Sequence, residues 1–470
     1  MLWLILGIVI LLYRKSIRFN YVVDDFVKRD GYLYDIPVEG PSQVFWERRP
    51  SAWYRIFMIG MHCVNVSIVF LLWGFAPALL FAVHPLSVYA TAWVTGNYYG
   101  TTAFFCLIAY YFLKTFTWGA AVAVPVFTAA LNSTITAVAF PFVMLAVPFG
   151  WTLFFPLATF LTGKRFKTGI KIRKNLTKEL KVQMPWSLCR LVLMVKVVGR
   201  YIADFFFPNQ LGFFPNWGKD LWFHQDRYDE LQKVNVEFWK SFIICGLTLG
   251  IGLAVNPFMT LWFFVLIGVH SQWKILGQFY AQRYMYLPMV GLCAIAGSVL
   301  MQYPVALAVA ATFLTIRTVF FIPAFRNQES LWRNDLDSFP DNSHAYSNLA
   351  QYLISKFGGK FRSALEMYEV AFLMNRAVSM DPKNYEIHMN MAAYYMAAGQ
   401  PRLSLYHTEK AIEFVKDLRI PGKVEDLRGQ AERIKKFITP KEEGHEKTRS
   451  IESERDCYSE RRSAGLGAIA

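Results

Sequence analysis

The sequence predicts an all-α protein in three parts. These are a polytopic membrane domain of about eleven spans over residues 1–323, a small domain of helical hairpins over 324–437, and a charged, disordered tail over 438–470. Three observations carry this. The 470 residues are 54% hydrophobic and 18% charged, against about 25% charged in an ordinary soluble domain. Apolar runs of transmembrane length are confined to the first 323 residues. Small and large residues then alternate in the pattern of paired helices from Asn342 to Phe414. Disordered, collagen-like and disulfide-scaffold chains are excluded by the same composition.

The first apolar run is Leu2–Tyr13, followed by Arg14, Lys15 and Arg18. A cleaved leader would carry its charges before the run. The run therefore reads as a retained helix continuing towards Ile17. Further spans are expected at Trp53–Gly74, Ala76–Val94, Tyr98–Phe116, Gly119–Leu131 and Thr134–Phe149. Five more follow at Trp186–Phe206, Phe238–Val255, Phe258–Trp273, Tyr284–Met301 and Val305–Ile322. The net charge of +15 is read first as a topology signal, because Lys and Arg stay in cytoplasmic loops. The densest basic run, Lys164–Lys181, lies between spans, so a nucleic-acid partner is not expected. An odd number of spans with Lys164–Lys181 inside places Arg14–Ala52 and the hairpin domain outside. That side is the ER lumen or the bacterial periplasm. Five of the six cysteines fall in apolar segments and read as small buried hydrophobes; Cys457 is in the tail.

The hairpins have tetratricopeptide-repeat spacing. Ala345, Asn348, Leu349, Ala350 and Leu353 mark one helix; Met391, Ala392, Tyr395, Gly399, Ser404 and Ala411 mark a second copy. Asp381-Pro382 separates the copies, and Gly358-Gly359 marks an insertion in the first. Two copies are too few for a free solenoid. They are expected to pack on the membrane domain or on a capping helix at Val424–Phe437.

Polar groups in or beside membrane helices need a reason to be there. Asp24 and Asp25 follow the first helix and form a candidate general base, with a helix cap or solvated loop as the alternative. His84, in His84-Pro85, and Asn97 lie within and at the outer end of one segment. Lys196, Arg200 and Asp204 are spaced i, i+4, i+8 and share a helix face, either as an internal charge network or as a phosphate site. Arg283, next to Tyr284 and Tyr286, offers the planar fork suited to a lipid phosphate. No metal site is expected: His224 and Asp226 are too common a pair to indicate one. No Gly-rich phosphate loop or nucleophile elbow occurs.

Four stretches, in order, resemble a known family. They are Phe19–Phe26 with its two aspartates, Arg49–Leu72 with His62 and Asn65, Ala78–Phe105 with His84-Pro85 and Asn97, and Ala281–Gly291. With Arg326–Ala350 running into the repeats, the chain resembles the transmembrane and tetratricopeptide-repeat-containing O-mannosyltransferases and their bacterial relatives, in the GT-C fold. The resemblance implies transfer of a sugar, mannose above all, from a polyprenyl- or dolichyl-phosphate donor to a Ser or Thr hydroxyl. No cofactor is implied beyond the lipid-linked donor. Asp24 or Asp25 would be the base. Arg283 would hold the donor phosphate, helped by Arg200, Lys196 and Tyr286, with His84, Asn97 and His62 in the cavity. The repeats would meet the acceptor protein. Two positions depart from the family pattern: Asn132-Ser133-Thr134 replaces a charged turn, and Gln282 replaces an acid. Both remove charge near the expected site. The alternatives are a non-catalytic membrane-anchored scaffold in a glycosylation complex and a polyprenyl-lipid transporter.

Overall fold

The protein is described from a computed structural model covering residues 1–22, 32–33, 36–37, 51–131, 135–144, 188–215, 230–272, 280–416 and 423–442. Among these residues the regular secondary structure is helical. The exception is a short antiparallel ladder pairing Tyr32–Leu33 with Ile36–Pro37. Helix α1 (Leu2–Tyr13) continues as a 3-10 helix through Arg18. It packs against α2 (Ser51–Trp73) through buried Ile5, Val9 and Tyr13. Next come α3 (Phe75–Val83), α4 (Val88–Thr91), α5 (Asn97–Thr115), α6 (Gly119–Leu131) and α7 (Phe140–Met144). The domain continues with α8 (Leu188–Phe206), α9 (Val236–Val255), α10 (Pro257–Gly268), α11 (Met289–Leu300) and α12 (Pro304–Phe321).

The expected count of about eleven spans is corrected. Among the described residues three helices are long and apolar enough to cross a membrane: Ala52–Trp73, Val236–Val255 and Pro304–Arg326. Punctuation inside the apolar runs accounts for much of the difference. The run Ala76–Val94 breaks at His84-Pro85, because proline removes a helical N–H and pushes the preceding residue out of the helical region. His84 accordingly sits at ψ 130°. The nine residues of α3 reach about 14 Å, half of the roughly 30 Å hydrocarbon layer. Asn256-Pro257 separates α9 from α10, and α6, α10 and α11 are apolar but short. Helix α5 is long enough but carries Asn97, Thr101, Thr102 and Lys114; α8 carries Arg190, Lys196, Arg200 and Asp204.

The hairpin domain follows without a gap. Helix α13 (Gln328–Ser338) opens on a capping box between Asn327 and Ser330. Helices α14 (Ser343–Lys356) and α15 (Ala364–Met380) form one hairpin, α16 (Tyr385–Ala397) and α17 (Pro401–Lys416) the next. Gly358 and Gly359, at φ 68° and 73°, turn the first hairpin in a conformation that side chains resist. Helix α18 (Lys423–Glu442) lies against α17, with Leu427 and Ala431 packed beside Ala411 and Val415. It runs past the expected start of the tail at 438; residues 443–470, and Cys457 with them, lie outside the described residues. A continuous apolar core runs from α1 to α16, so the hairpins are built onto the N-terminal apolar domain.

Candidate functional site

The polar residues converge where four pieces of chain meet: the end of α8, the irregular segment 207–215, the short helix α4 and the 3-10 turn Gln282–Met285. Segment 207–215 is pinned from three sides. Arg317 of α12 donates to the carbonyls of Pro208 (2.9 Å) and Asn209 (2.6 Å). Asp335 of α13, fully buried, accepts from the N–H groups of Phe213 (2.6 Å) and Phe214 (2.9 Å). Asn334 and Ser338 donate to the carbonyl of Leu211, and Asn342 donates to that of Phe214. A buried carboxylate is tolerated when several donors meet it.

Gln282 is the hub. Its Nε2 donates to Asp204 Oδ2 (2.6 Å) and to the carbonyl of Gln210 (2.7 Å). Its Oε1 accepts from Gly212 N–H (3.2 Å), and the Tyr89 hydroxyl lies 2.7 Å from the same oxygen. Asp204 is also paired with Arg200 Nε (3.2 Å) and accepts from the Tyr280 hydroxyl. Arg200 donates in addition to Gln210 Oε1 (3.0 Å). Lys196, one turn earlier on α8, is buried and donates to the carbonyl of Leu231 (2.9 Å). The shared helix face thus divides: Arg200 and Asp204 join Gln282, while Lys196 holds a different loop.

Arg283 stands next to the hub, half-buried. Its guanidinium carbon lies 5.4 Å from the ring centroid of Phe213, 5.5 Å from Trp93, 5.6 Å from Tyr284 and 5.7 Å from Phe214. Each ring face attracts a cation within about 6 Å. One guanidinium N–H donates to the carbonyl of Phe213 (3.2 Å). The indole N–H of Trp93 is buried without a hydrogen-bond partner among the described residues. Tyr284 stacks on His270 (4.1 Å), whose Nε2 is 2.7 Å from the Thr136 hydroxyl.

The remaining candidates lie deeper. His62 Nε2 faces the carbonyl of Ala82 (3.3 Å), which places the proton there and leaves Nδ1 to accept from the Tyr286 hydroxyl (2.6 Å). Asn65 donates to that hydroxyl (3.3 Å) and to the carbonyl of Gly100 (2.9 Å). Tyr286 therefore belongs to a cluster joining α2, α3 and α5, and its hydroxyl is spent on that cluster. His84 donates from Nε2 to the carbonyl of Phe205 (3.0 Å), accepts at Nδ1 from Leu86 N–H (3.2 Å) and stacks on the Phe205 ring. Both nitrogens are occupied in clamping the α3 break to the end of α8. Asn97 is buried at the start of α5, just after the turn that Trp93 leads into.

Asp24 and Asp25 lie outside the described residues, as do Asn132-Ser133-Thr134, Lys164–Lys181, His224 and Asp226. The chain leading to the aspartates is described up to Val22. Asn20 N–H donates to the carbonyl of Arg326 (3.0 Å), and its own carbonyl accepts from Arg55 (2.6 Å). Arg55 is fully buried in α2, with its guanidinium over the Phe19 ring. Sequence reasoning passed over Arg55, although a cation inside an apolar run is a signal in itself. Asp335 carried no comparable signal, since it sits in an ordinary polar helix. Among the described residues no three His, Cys, Asp or Glu side chains gather for a metal ion.

Two charge arrangements stand in the hairpin domain. Glu329 accepts from Lys356 (2.7 Å) and Arg333 (3.0 Å); burial works against its charge, but these two cations hold its carboxyl below the ordinary glutamate value. His388 and His407 meet Nδ1 to Nδ1 at 2.9 Å. His388 Nε2 faces the carbonyl of Pro382 (2.9 Å), so its Nδ1 is the acceptor and His407 the donor. Burial pushes both imidazoles down from the ordinary 6.5, His407 to about 4.

No protein-family model matches the chain, and no curated protein or solved structure matches it either.

Proposed function

We propose that the protein is a membrane glycosyltransferase. It would move a sugar, mannose above all, from a polyprenyl- or dolichyl-phosphate donor to a Ser or Thr hydroxyl on the lumenal or periplasmic side. The observation that carries this is Arg283, a cation walled by four aromatic rings, with the indole N–H of Trp93 buried beside it. Donors preorganised in a poorly hydrated site suit an anion whose charge grows during reaction. In the proposed step, Asp24 or Asp25 takes the proton of the acceptor hydroxyl. The hydroxyl oxygen bonds to the anomeric carbon, and the bond from that carbon to the phosphate oxygen breaks. The leaving lipid phosphate keeps the electron pair, and Arg283 stabilises it. The aspartates enter this scheme from the sequence and the family resemblance alone.

Purified protein in detergent, given labelled polyprenyl-phosphate sugars and a Ser/Thr peptide, tests the proposal. Labelled peptide is the expected result; no transfer from any such donor rejects it. A second reading, a non-catalytic scaffold, is favoured by the closed bonding around Gln282. There Arg200 is committed to Asp204 and Gln210, and the Gln282 amide is fully used.

A further inference from the structure

We propose that the N-terminal half of α15 rests on the membrane surface, with Leu365, Tyr368 and Phe372 inserted among the lipid headgroups. Helix α15 has two apolar faces. Val370, Leu373, Met374 and Ala377 are buried within the domain. Leu365, Tyr368 and Phe372 are 79%, 74% and 63% exposed. Their spacing of i, i+3, i+7 puts them in one stripe, on a helix whose packing is already satisfied by the other face. A stripe of this kind marks an interaction surface rather than a stray exposed residue.

The position of the stripe says which surface. The apolar helical run Pro304–Arg326 ends only just before Glu329. Glu329 holds Lys356, at the end of α14, and also Arg333, which in turn binds Glu369 on α15 at 2.6 Å. This ladder of ion pairs keeps the start of α15 beside the end of the membrane helix. Ile316, Val319 and Phe320 near that end are themselves exposed.

The chemistry fits lipid. Exposed Lys360 and Arg362 precede the stripe and suit the phosphates that headgroups carry. The nearby acids are turned to other work: Glu366 accepts from the backbone N–H of Arg362, and Glu369 binds Arg333. Tyrosine is favoured where one end of a side chain is apolar and the other wet. The inference rests on the membrane reading of α12 and not on the transferase activity.

The test uses the full chain in phosphatidylcholine–phosphatidylserine vesicles. Photoreactive benzoylphenylalanine replaces Phe372 or, in a second variant, Tyr406, an exposed aromatic of α17. Both sites are exposed, so neither replacement disturbs the core. Mass spectrometry should find phospholipid attached at 372 and not at 406. Attachment at 372 to a second copy of the chain overturns the proposal, as does the absence of any adduct there. Equal lipid labelling at both positions overturns it too.

Discussion

Gln282 donates its amide to Asp204 at 2.6 Å, a contact between residues 78 positions apart in the chain. It gives a physical reason for an amide where the resembling family carries an acid. Nε2 faces a carboxylate and a carbonyl, two acceptors that a second ionised carboxylate would repel.

Replacing Gln282 by Glu should therefore destabilise the protein by about 1–3 kcal/mol or more, the cost of leaving buried groups unsatisfied with added charge. Thermal unfolding in detergent measures this. Adding Asp204→Asn restores a donor opposite the new acid, so the double variant should recover part of the loss. A Gln282→Glu protein as stable as the wild type would show that the amide is not needed.

Arg283→Ala should reduce sugar transfer by about 10²-fold, the usual cost of losing one preorganised donor in such a site. Arg283→Lys should fall in between. It keeps the charge but loses the planar group that lies on Phe213, Trp93, Tyr284 and Phe214. Steady-state kinetics with varied donor separates these cases, and equal rates in all three proteins would take Arg283 out of the reaction.

Of Asp24→Asn and Asp25→Asn, one should lose about 10²–10⁴ in kcat with donor binding nearly unchanged, as expected for a general base. If the backbone is extended at these two positions, their side chains face opposite ways, and the other variant should then lower expression or stability instead. Asp24 is favoured as the base by the family resemblance. Full activity in the double Asn variant would end this assignment.

The hairpin domain should lose stability in acid. His388 and His407 titrate below their ordinary 6.5 when folded, His407 near 4, so between these values the unfolded chain binds more protons. Stability then falls as pH drops from about 6.5 towards 4 and is fully present above that window. Protonating His388 also sets two N–H groups against each other across the 2.9 Å contact. Hydrogen-exchange protection of α16 and α17 in the full chain, corrected for the slower intrinsic exchange in acid, should fall between pH 7 and 5. A flat profile would mean that the pair does not titrate in this range.

Local pattern made much of the fold legible. The alternation of small and large residues in 342–414 marked both hairpins, and Gly358-Gly359 sits where α14 ends. The division between an apolar domain and a polar one was visible in composition. The number of spans was less so, because average hydropathy ignores where a helix stops. His84-Pro85 and Asn256-Pro257 interrupt runs that look continuous on that measure.

For the site, residue type singled out Arg283, Arg200 and His84 but left their partners open. The sequence by itself determined that this chain is helical, largely apolar and followed by paired repeats, since these properties follow from periodicity over a few turns. Only the tertiary structure decided that His84 clamps Phe205, that Lys196 turns to Leu231, and that Arg283 lies among four rings. The reason is range. A helix is specified by neighbours three and four residues away. The partners of a buried polar group can come from any segment that packing brings within about 3 Å. No spacing within one helix encodes that choice.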